Sequence, residues 1–410
     1  MITFMKTSRL LALWSLVTVL VLSFTSCKHG GDGPGQPTTT TLASSTQIAT
    51  LTRNQLADRV AALGINLGSN STILSLILQR DVKAYRITYK TKNTDGTEVL
   101  ASGALIVPTA IGNESFPMIS LQHGTIFDDA QAPSYFTTSA DVNAGTLFAS
   151  NRYIVACPDY IGYGESKNVP HPYLHRQTEA QASLDMLRAA RDFVTQNNIS
   201  WDKQVFLAGY SQGGHSTMSM LKMMEEQFPD EFRITAASCG AGPYNVEGFM
   251  QDLATKTTHG NASYNNLYVW VLQTYNRVYG LNRPMSAYFK EPYATDVQAN
   301  GNRSSINTSI NNAFSDAFKA SIVSGSDADL LKAVRDNNVY DWKPKTPLLL
   351  VHGTADQQVF YRNSTDALAA MKARGVTDIS LTPAEGKDHG TAIQDFILGT
   401  YGFFTQRRGN

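Results

Sequence analysis

The sequence predicts an α/β architecture: a mostly parallel central sheet with helices on both faces and a helical cap inserted late in the chain. Three observations carry this. Short apolar runs alternate with longer segments of helical spacing over most of the length. The runs are apolar continuously, as strands buried on both faces are. One interval, 242–347, breaks the alternation.

In chain order, the ordered part is expected to begin near Thr50, with a helical stretch RNQLADRVAALG and a second apolar stretch STILSLILQRDV. AYRITYK then alternates, Asp95-Gly96 supplies a turn and VLASGALIVP follows, the pattern of an antiparallel hairpin. MISLQHG (118–124) and RYIVACPDY (152–160) read as buried strands. EAQASLDMLRAARDFV (179–194) sets Leu184, Leu187, Ala190 and Val194 at helical spacing. QVFLAGYS (204–211) is a strand that runs into a helix over 212–226. RITAASCGAG (233–242) and PLLLVHG (347–353) are strands, TDALAAMKARG (365–375) is a helix that stops at Gly375, and ISLTPAE (379–385) is a last strand. The interval 242–347 is polar, Asn-rich and aromatic, with one clear helix, NNLYVWVLQTYNRVYG, and no clear strand. The expected organisation is a core in two parts, 51–244 and 341–410, split by a cap at 245–340. There is no internal repeat.

The N-terminus is of another kind. Lys6 and Arg9 precede an apolar run over 10–22 and then the small residues Ser23, Thr25 and Ser26. That is a signal peptide, too short for a comfortable membrane span. Its end, LSFTSC, resembles a bacterial lipoprotein box, with Phe24 where leucine is commonest. Cys27 would be the lipidated first residue of the mature chain, at the cell envelope. The alternatives are an ordinary secretory signal or an uncleaved anchor. Residues 28–50, rich in Gly, Pro, Thr and Ser, are expected to be a flexible linker.

Composition excludes little but usefully. Lys+Arg and Asp+Glu are 34 each in 410 residues, so nothing favours nucleic acid or an acidic surface as partner. Hydrophobic content of 42% fits a globular chain with a real core. Three cysteines are too few for a disulfide framework, and Cys157 and Cys239 end apolar runs as small buried hydrophobes.

The chemistry points to Ala-Gly-Tyr-Ser-Gln-Gly-Gly at 208–214. Gly209-Tyr210-Ser211-Gln212-Gly213 fits G-x-S-x-G with a strand before and a helix after, the context that holds a nucleophilic serine on a sharp turn. A serine hydroxyl needs a base, and the base an orienting acid. Both are expected downstream at strand ends, in the order Ser, Asp, His. Asp356 follows PLLLVHG, and His389 follows the last strand. The rival bases His123 and His352 each sit in an HGT; His352 would break the order, and His123 suits a bracing role in its loop. Of the rival acids, Asp388 adjoins His389 and Asp378 precedes its strand. The reading is Ser211–Asp356–His389. The oxyanion donors are expected to be the N–H groups of Gln212 and, from the loop QHGTIFDD, of Thr125 in preference to Gly124. His171 and His175 have metal-like spacing, but HPYLH contains Pro172 and reads as a loop, so no metal is expected. In the cap, Tyr268, Tyr275 and Trp270 are candidate substrate-binding residues.

LQHGT, YIVACPDYIGYGES, HPYLHRQTEAQASLDMLRAAR, GYSQGGH, HGTADQQV and KDHG together resemble the α/β-hydrolases, and more narrowly the secretory lipase group with its bacterial esterases. The resemblance runs from about Tyr85 to the C-terminus and is weak over 245–340. It implies hydrolysis of a small-molecule carboxylic ester or lipid without a cofactor, and no protein partner is expected. Two other readings stay open. A peptidase of the same fold would need a carboxylate such as Glu165 or Glu179 to grip an amino terminus. A surface lipoprotein that only binds a ligand would not need the Ser, Asp and His set.

Overall fold

A computed structural model describes residues 40–64 and 77–409. Its first element is a strand where the sequence reading places a linker. β1 (Leu42–Leu51) runs antiparallel to β2 (Val82–Lys92), so order begins well before Thr50. Hydropathy gives no sign of β1 because its side chains are mostly exposed. As an edge strand it is held through its backbone. The Asp192 carboxylate pins its start, accepting from the N–H groups of Thr41 and Leu42 at 2.8 and 3.2 Å. Cys27, residues 1–39, and 65–76 with most of STILSLIL lie outside the described residues.

α1 (Arg53–Ala61) starts on a capping box at Thr52. β2 and β3 (Glu98–Pro108) form the expected hairpin, with Val82 opposite Pro108 and Lys92 opposite Glu98. There follow β4 (Phe116–Gln122), α2 (Ala140–Ser150), β5 (Ile154–Pro158), α3 (Arg176–Gln196), β6 (Trp201–Tyr210), α4 (Gln212–Gln227) and β7 (Arg233–Gly240). The described strands form one sheet in the order β1-β2-β3-β5-β4-β6-β7 and then β8 (Leu348–Gly353) and β9 (Ile379–Ala384). From β5 and β4 onward every pairing is parallel. β4, β5 and β8 are buried throughout, which requires helices on both faces.

One face packs against α3 and α4 through Leu184, Leu187, Met218 and Leu221, the other against α1 and α2 through Leu56, Val60, Leu147 and Phe148. The insertion lies between β7 and β8. It carries α5 (Val246–Thr255), α6 (Ala262–Val278), α7 (Tyr293–Asn300), α8 (Asp316–Ser324) and α9 (Ala328–Asp336). Only α6 stands out in the sequence, because the others are short. Their starts are nonetheless written in side-chain caps, with Asn245, Ser315 and Asp327 each accepting from an N–H one turn on. The insertion has its own apolar cluster, including Leu272, Tyr275, Phe289 and Phe314, joined by Tyr173 and Leu174 from the loop before α3. After β8, α10 (Arg362–Ala373) joins the α3 and α4 face, and α11 (Ile393–Arg407) covers the other with Phe396 and Phe404.

Candidate active site

β6 ends at Tyr210 and α4 begins at Gln212, so one residue makes the whole turn. That residue is Ser211, at φ 60° and ψ −122°. A side chain is strained there, and the surroundings must hold it. They do so by leaving no space. A Cβ on Gly209 would lie 2.3 Å from the Gly213 carbonyl oxygen, and one on Gly213 would lie 2.2 Å from that of Gln122. The glycines of the motif are thus the price of crossing β4, β6 and α4 at contact distance. Ser211 Oγ projects from the apex, and the first N–H groups of α4 have no intrahelical acceptor.

Two strand-end loops bring partners to that oxygen. His389 Nε2 lies 2.8 Å from Ser211 Oγ, and His389 Nδ1 lies 2.6 Å from Asp356 Oδ2. A carboxylate can only accept, so Nδ1 carries the proton and Nε2 offers its lone pair to the serine hydroxyl. Asp356 is itself fully engaged. Its Oδ1 accepts from the N–H groups of Gln358 and Val359 at 2.8 and 2.9 Å. Burial pushes its pKa up, but hydrogen bonds from His352 and His389, with the attraction of both rings, outweigh that and hold it well below the usual carboxylate range. The carboxylate stays ionised.

The rival residues are occupied elsewhere. His352 Nε2 donates to the Val359 carbonyl at 2.7 Å and lies 3.2 Å from Asp356 Oδ2, while Ser364 Oγ lies 2.8 Å from Nδ1. His123 sits between the carbonyls of Gly124 and Asp159 at 2.6 and 3.1 Å, which braces the loop after β4. Asp388 accepts from the N–H and hydroxyl of Thr391, and Asp378 pairs with Arg407. Gly124 N–H donates to Asp141 Oδ2 at 3.3 Å, and Thr125 Oγ1 shares a hydrogen bond of 2.8 Å with Tyr173 OH.

Two cavities meet at Ser211, and both are also lined by Gln358. One, about 210 Å³, runs along the core past Thr125, Asp141, His389 and Ile397. The other, about 50 Å³, is narrow and apolar and runs under the insertion, past Met250, Leu253, Leu267, Tyr268, Val271 and Leu272. Of the aromatic residues singled out in the cap, Tyr268 lines this wall, and Trp270 and Tyr275 do not. The reason is helical phase. Leu267, Tyr268, Val271 and Leu272 form one stripe of α6, and Trp270 lies well off it, against Tyr173, His171 and Phe127. Tyr275 is on the stripe but a turn further on, where its OH donates to the Leu174 carbonyl at 3.1 Å. Gln358 is absent from the sequence reading, although its place two residues after Asp356 on a strand-end loop was available as a signal.

No group of three or more His, Cys, Asp or Glu among the described residues is placed to hold a metal ion. His171 and His175 do not share a target: His171 Nδ1 donates to the Ile161 carbonyl at 2.6 Å, and His175 Nδ1 lies 2.6 Å from Thr178 Oγ1. Burial lowers the pKa of His171 to about 3 and of His175 to about 4. Cys157 and Cys239 are buried free thiols whose pKa burial pushes up.

A family model described as secretory lipase matches residues 131–394, which include Ser211, Asp356 and His389. The chain belongs to the secretory lipase family. Lipase A of Moesziomyces aphidis is 25% identical over 170 residues, 40% of this chain and 36% of that protein, so the chain spans about a third of the curated relative it matches. Among solved structures, a Legionella pneumophila protein superposes with a TM-score of 0.78 at 25% identity, covering 89% of this chain and 97% of its own. The rice cell wall degrading esterase LipA of Xanthomonas oryzae gives 0.76 at 24% identity, covering 90% and 99%. Candida antarctica lipase A gives 0.60 at 17% identity over 88% and 82%, a likeness of fold. Like these esterases and lipases, this member of the secretory lipase family has the α/β-hydrolase fold.

The two carboxylates named for the peptidase reading both have partners within the fold. Glu165 pairs with Arg86 at 3.0 Å. Glu179 is buried, with Gln212 Nε2 and Leu174 N–H donating to its Oε1 at 2.7 and 2.9 Å.

Proposed function

We propose that the protein is a serine hydrolase of carboxylic esters, an esterase or lipase that works through an acyl-enzyme. The observation that carries this is the series Ser211 Oγ, His389 Nε2, His389 Nδ1, Asp356 Oδ2, with links of 2.8 and 2.6 Å at the mouth of two cavities. Ser211 Oγ attacks the ester carbonyl as His389 Nε2 takes its proton. Asp356 holds the ring in that tautomer and stabilises the imidazolium. The oxyanion is met by the N–H groups of Gln212, at the start of α4, and Thr125; the engagement of Gly124 N–H with Asp141 supports Thr125 over Gly124. His389 returns the proton to the leaving alcohol, and water, activated by the same ring, releases the acid. The narrow apolar cavity takes the acyl chain and the wider one the alcohol, beneath a cap formed by 245–340.

Membership of the secretory lipase family supports a place outside the cytoplasm, on an ester or lipid substrate. Among the described residues no helix is long and apolar enough to cross a membrane. The lipoprotein-box resemblance at Cys27 supports a lipid anchor: Cys27→Ser should lose fatty-acid labelling and leave the membrane fraction, and unchanged labelling would refute the anchor.

The function is tested by fluorophosphonate labelling with peptide mapping. The label should fall on Ser211, and Ser211→Ala should keep its fold and lose on the order of 10⁴-fold in turnover. Label on another serine, or cleavage of aminopeptide substrates in preference to esters, would overturn the reading.

A further inference from the structure

The loop 171–175, His-Pro-Tyr-Leu-His, touches both residues whose N–H groups are assigned to the oxyanion. Tyr173 OH shares its 2.8 Å hydrogen bond with Thr125 Oγ1. His171 has its Nδ1–H committed to the Ile161 carbonyl, which leaves Nε2 as an acceptor, and Gln212 Nε2 donates to it at 2.8 Å. The Gln212 amide is held from the other side by Glu179 Oε1 at 2.7 Å, and the same oxygen fixes the loop through Leu174 N–H. His171, Tyr173 and Glu179 are all buried. The Gln212 amide nitrogen is thus held between two buried acceptors, and hydrogen bonds in a buried setting of this kind favour one geometry, while Gln212 Oε1 has no partner among the described residues.

The outer side of the loop carries the insertion. Trp270 of α6 stacks on Tyr173, with ring centroids 4.6 Å apart and planes 12° from parallel. Arg277 Nη2 donates to the His171 carbonyl at 3.1 Å, and Tyr275 OH to that of Leu174. We infer that the loop 171–175 is a positioning element that aims the two oxyanion N–H groups and makes their aim depend on the seating of α6. The inference rests on the serine-hydrolase reading above. Tyr173 is its central residue, because it meets Thr125 with its hydroxyl and Trp270 with its ring face.

The oxyanion exists only after attack, so a misaimed donor should lower kcat and leave KM nearly unchanged. The test is a double-mutant cycle on p-nitrophenyl butyrate. Tyr173→Phe keeps the ring on Trp270 and removes only the hydroxyl; Thr125→Val removes the hydroxyl and keeps the N–H. Each should lower kcat about tenfold, less than loss of a whole donor, with KM within about twofold. The double variant should be no worse than either single one, and Trp270→Ala should lower kcat in the same sense. The second-order rate of fluorophosphonate reaction should fall in parallel while its end-point stays at one label on Ser211. Unchanged kcat in Tyr173→Phe, an effect on KM alone, or losses that multiply to about a hundredfold in the double variant would overturn the inference and leave the nucleophile standing. Turnover that survives in Ser211→Ala would instead bring down the hydrolase reading, and the inference with it.

Discussion

Replacing Asp356 by asparagine changes one atom, and the structure says which way the new amide must face. Oδ1 accepts from two backbone N–H groups, those of Gln358 and Val359 at 2.8 and 2.9 Å. An NH₂ turned toward them would set donors against donors, so the amide oxygen takes that side. The NH₂ then faces His389 Nδ1, 2.6 Å from the present Oδ2, and gives up the longer contact of 3.2 Å with His352 Nε2, which keeps donating to the Val359 carbonyl. His389 must accept there, which moves its proton to Nε2 and points it at Ser211 Oγ, where a lone pair is needed. The variant folds with its base in the wrong tautomer and without a counter-charge for the imidazolium. A loss on the order of 10⁴-fold in kcat is expected, about 5.5 kcal/mol of barrier. The assay is kcat and KM on p-nitrophenyl butyrate beside Asp388→Asn, whose carboxylate only caps the Thr391 turn at the surface and should lose less than about threefold. An Asp356→Asn enzyme within about tenfold of the parent would refute the tautomer argument, and a reversed order of the two variants would make Asp388 the orienting acid.

Two further predictions concern substrate and acid stability. If the narrow cavity takes the acyl chain, kcat/KM should rise roughly tenfold from acetate to butyrate esters, at about 0.8 kcal/mol for each buried methylene. Val271→Trp should flatten that rise by filling the cavity beside Tyr268, and a profile indifferent to it would place the acyl chain elsewhere. Glu114 is held at about 2, chiefly by the hydrogen bond from Arg80, with burial opposing and the Ile111 N–H and the Arg80 and Arg152 charges adding. A carboxylate depressed in the folded state stabilises it above the unfolded pKa, near 4.5, and loses that contribution as pH falls toward 2. Thermal midpoints should therefore drop between pH 5 and 2 more steeply in the parent than in Glu114→Gln, and parallel curves would contradict the pair's role.

Local pattern determined most of this protein's frame. Parallel strands buried on both faces must be continuous apolar runs, so β4, β6 and β8 could be read directly. A one-residue turn between strand and helix needs glycines around it, which made the turn at Ser211 legible, and strand-end position singled out Asp356 and His389, whose side chains the fold brings into one hydrogen-bonded series with it. What tertiary structure alone decided depends on groups distant in sequence. β1 is held by backbone pairing to β2 and by Asp192, and neither leaves a hydropathy signal in the strand itself. Which stripe of α6 faces the cavity was set by where the helix docks. Every face of α6 carries aromatic or apolar residues, so composition could not separate Val271 from Trp270. The contacts of Tyr173 with Thr125 and of His171 with Gln212 join residues some 40 or more apart in the chain. Hydrogen bonds of that kind exist only once the loops are in place, and no local pattern announces them.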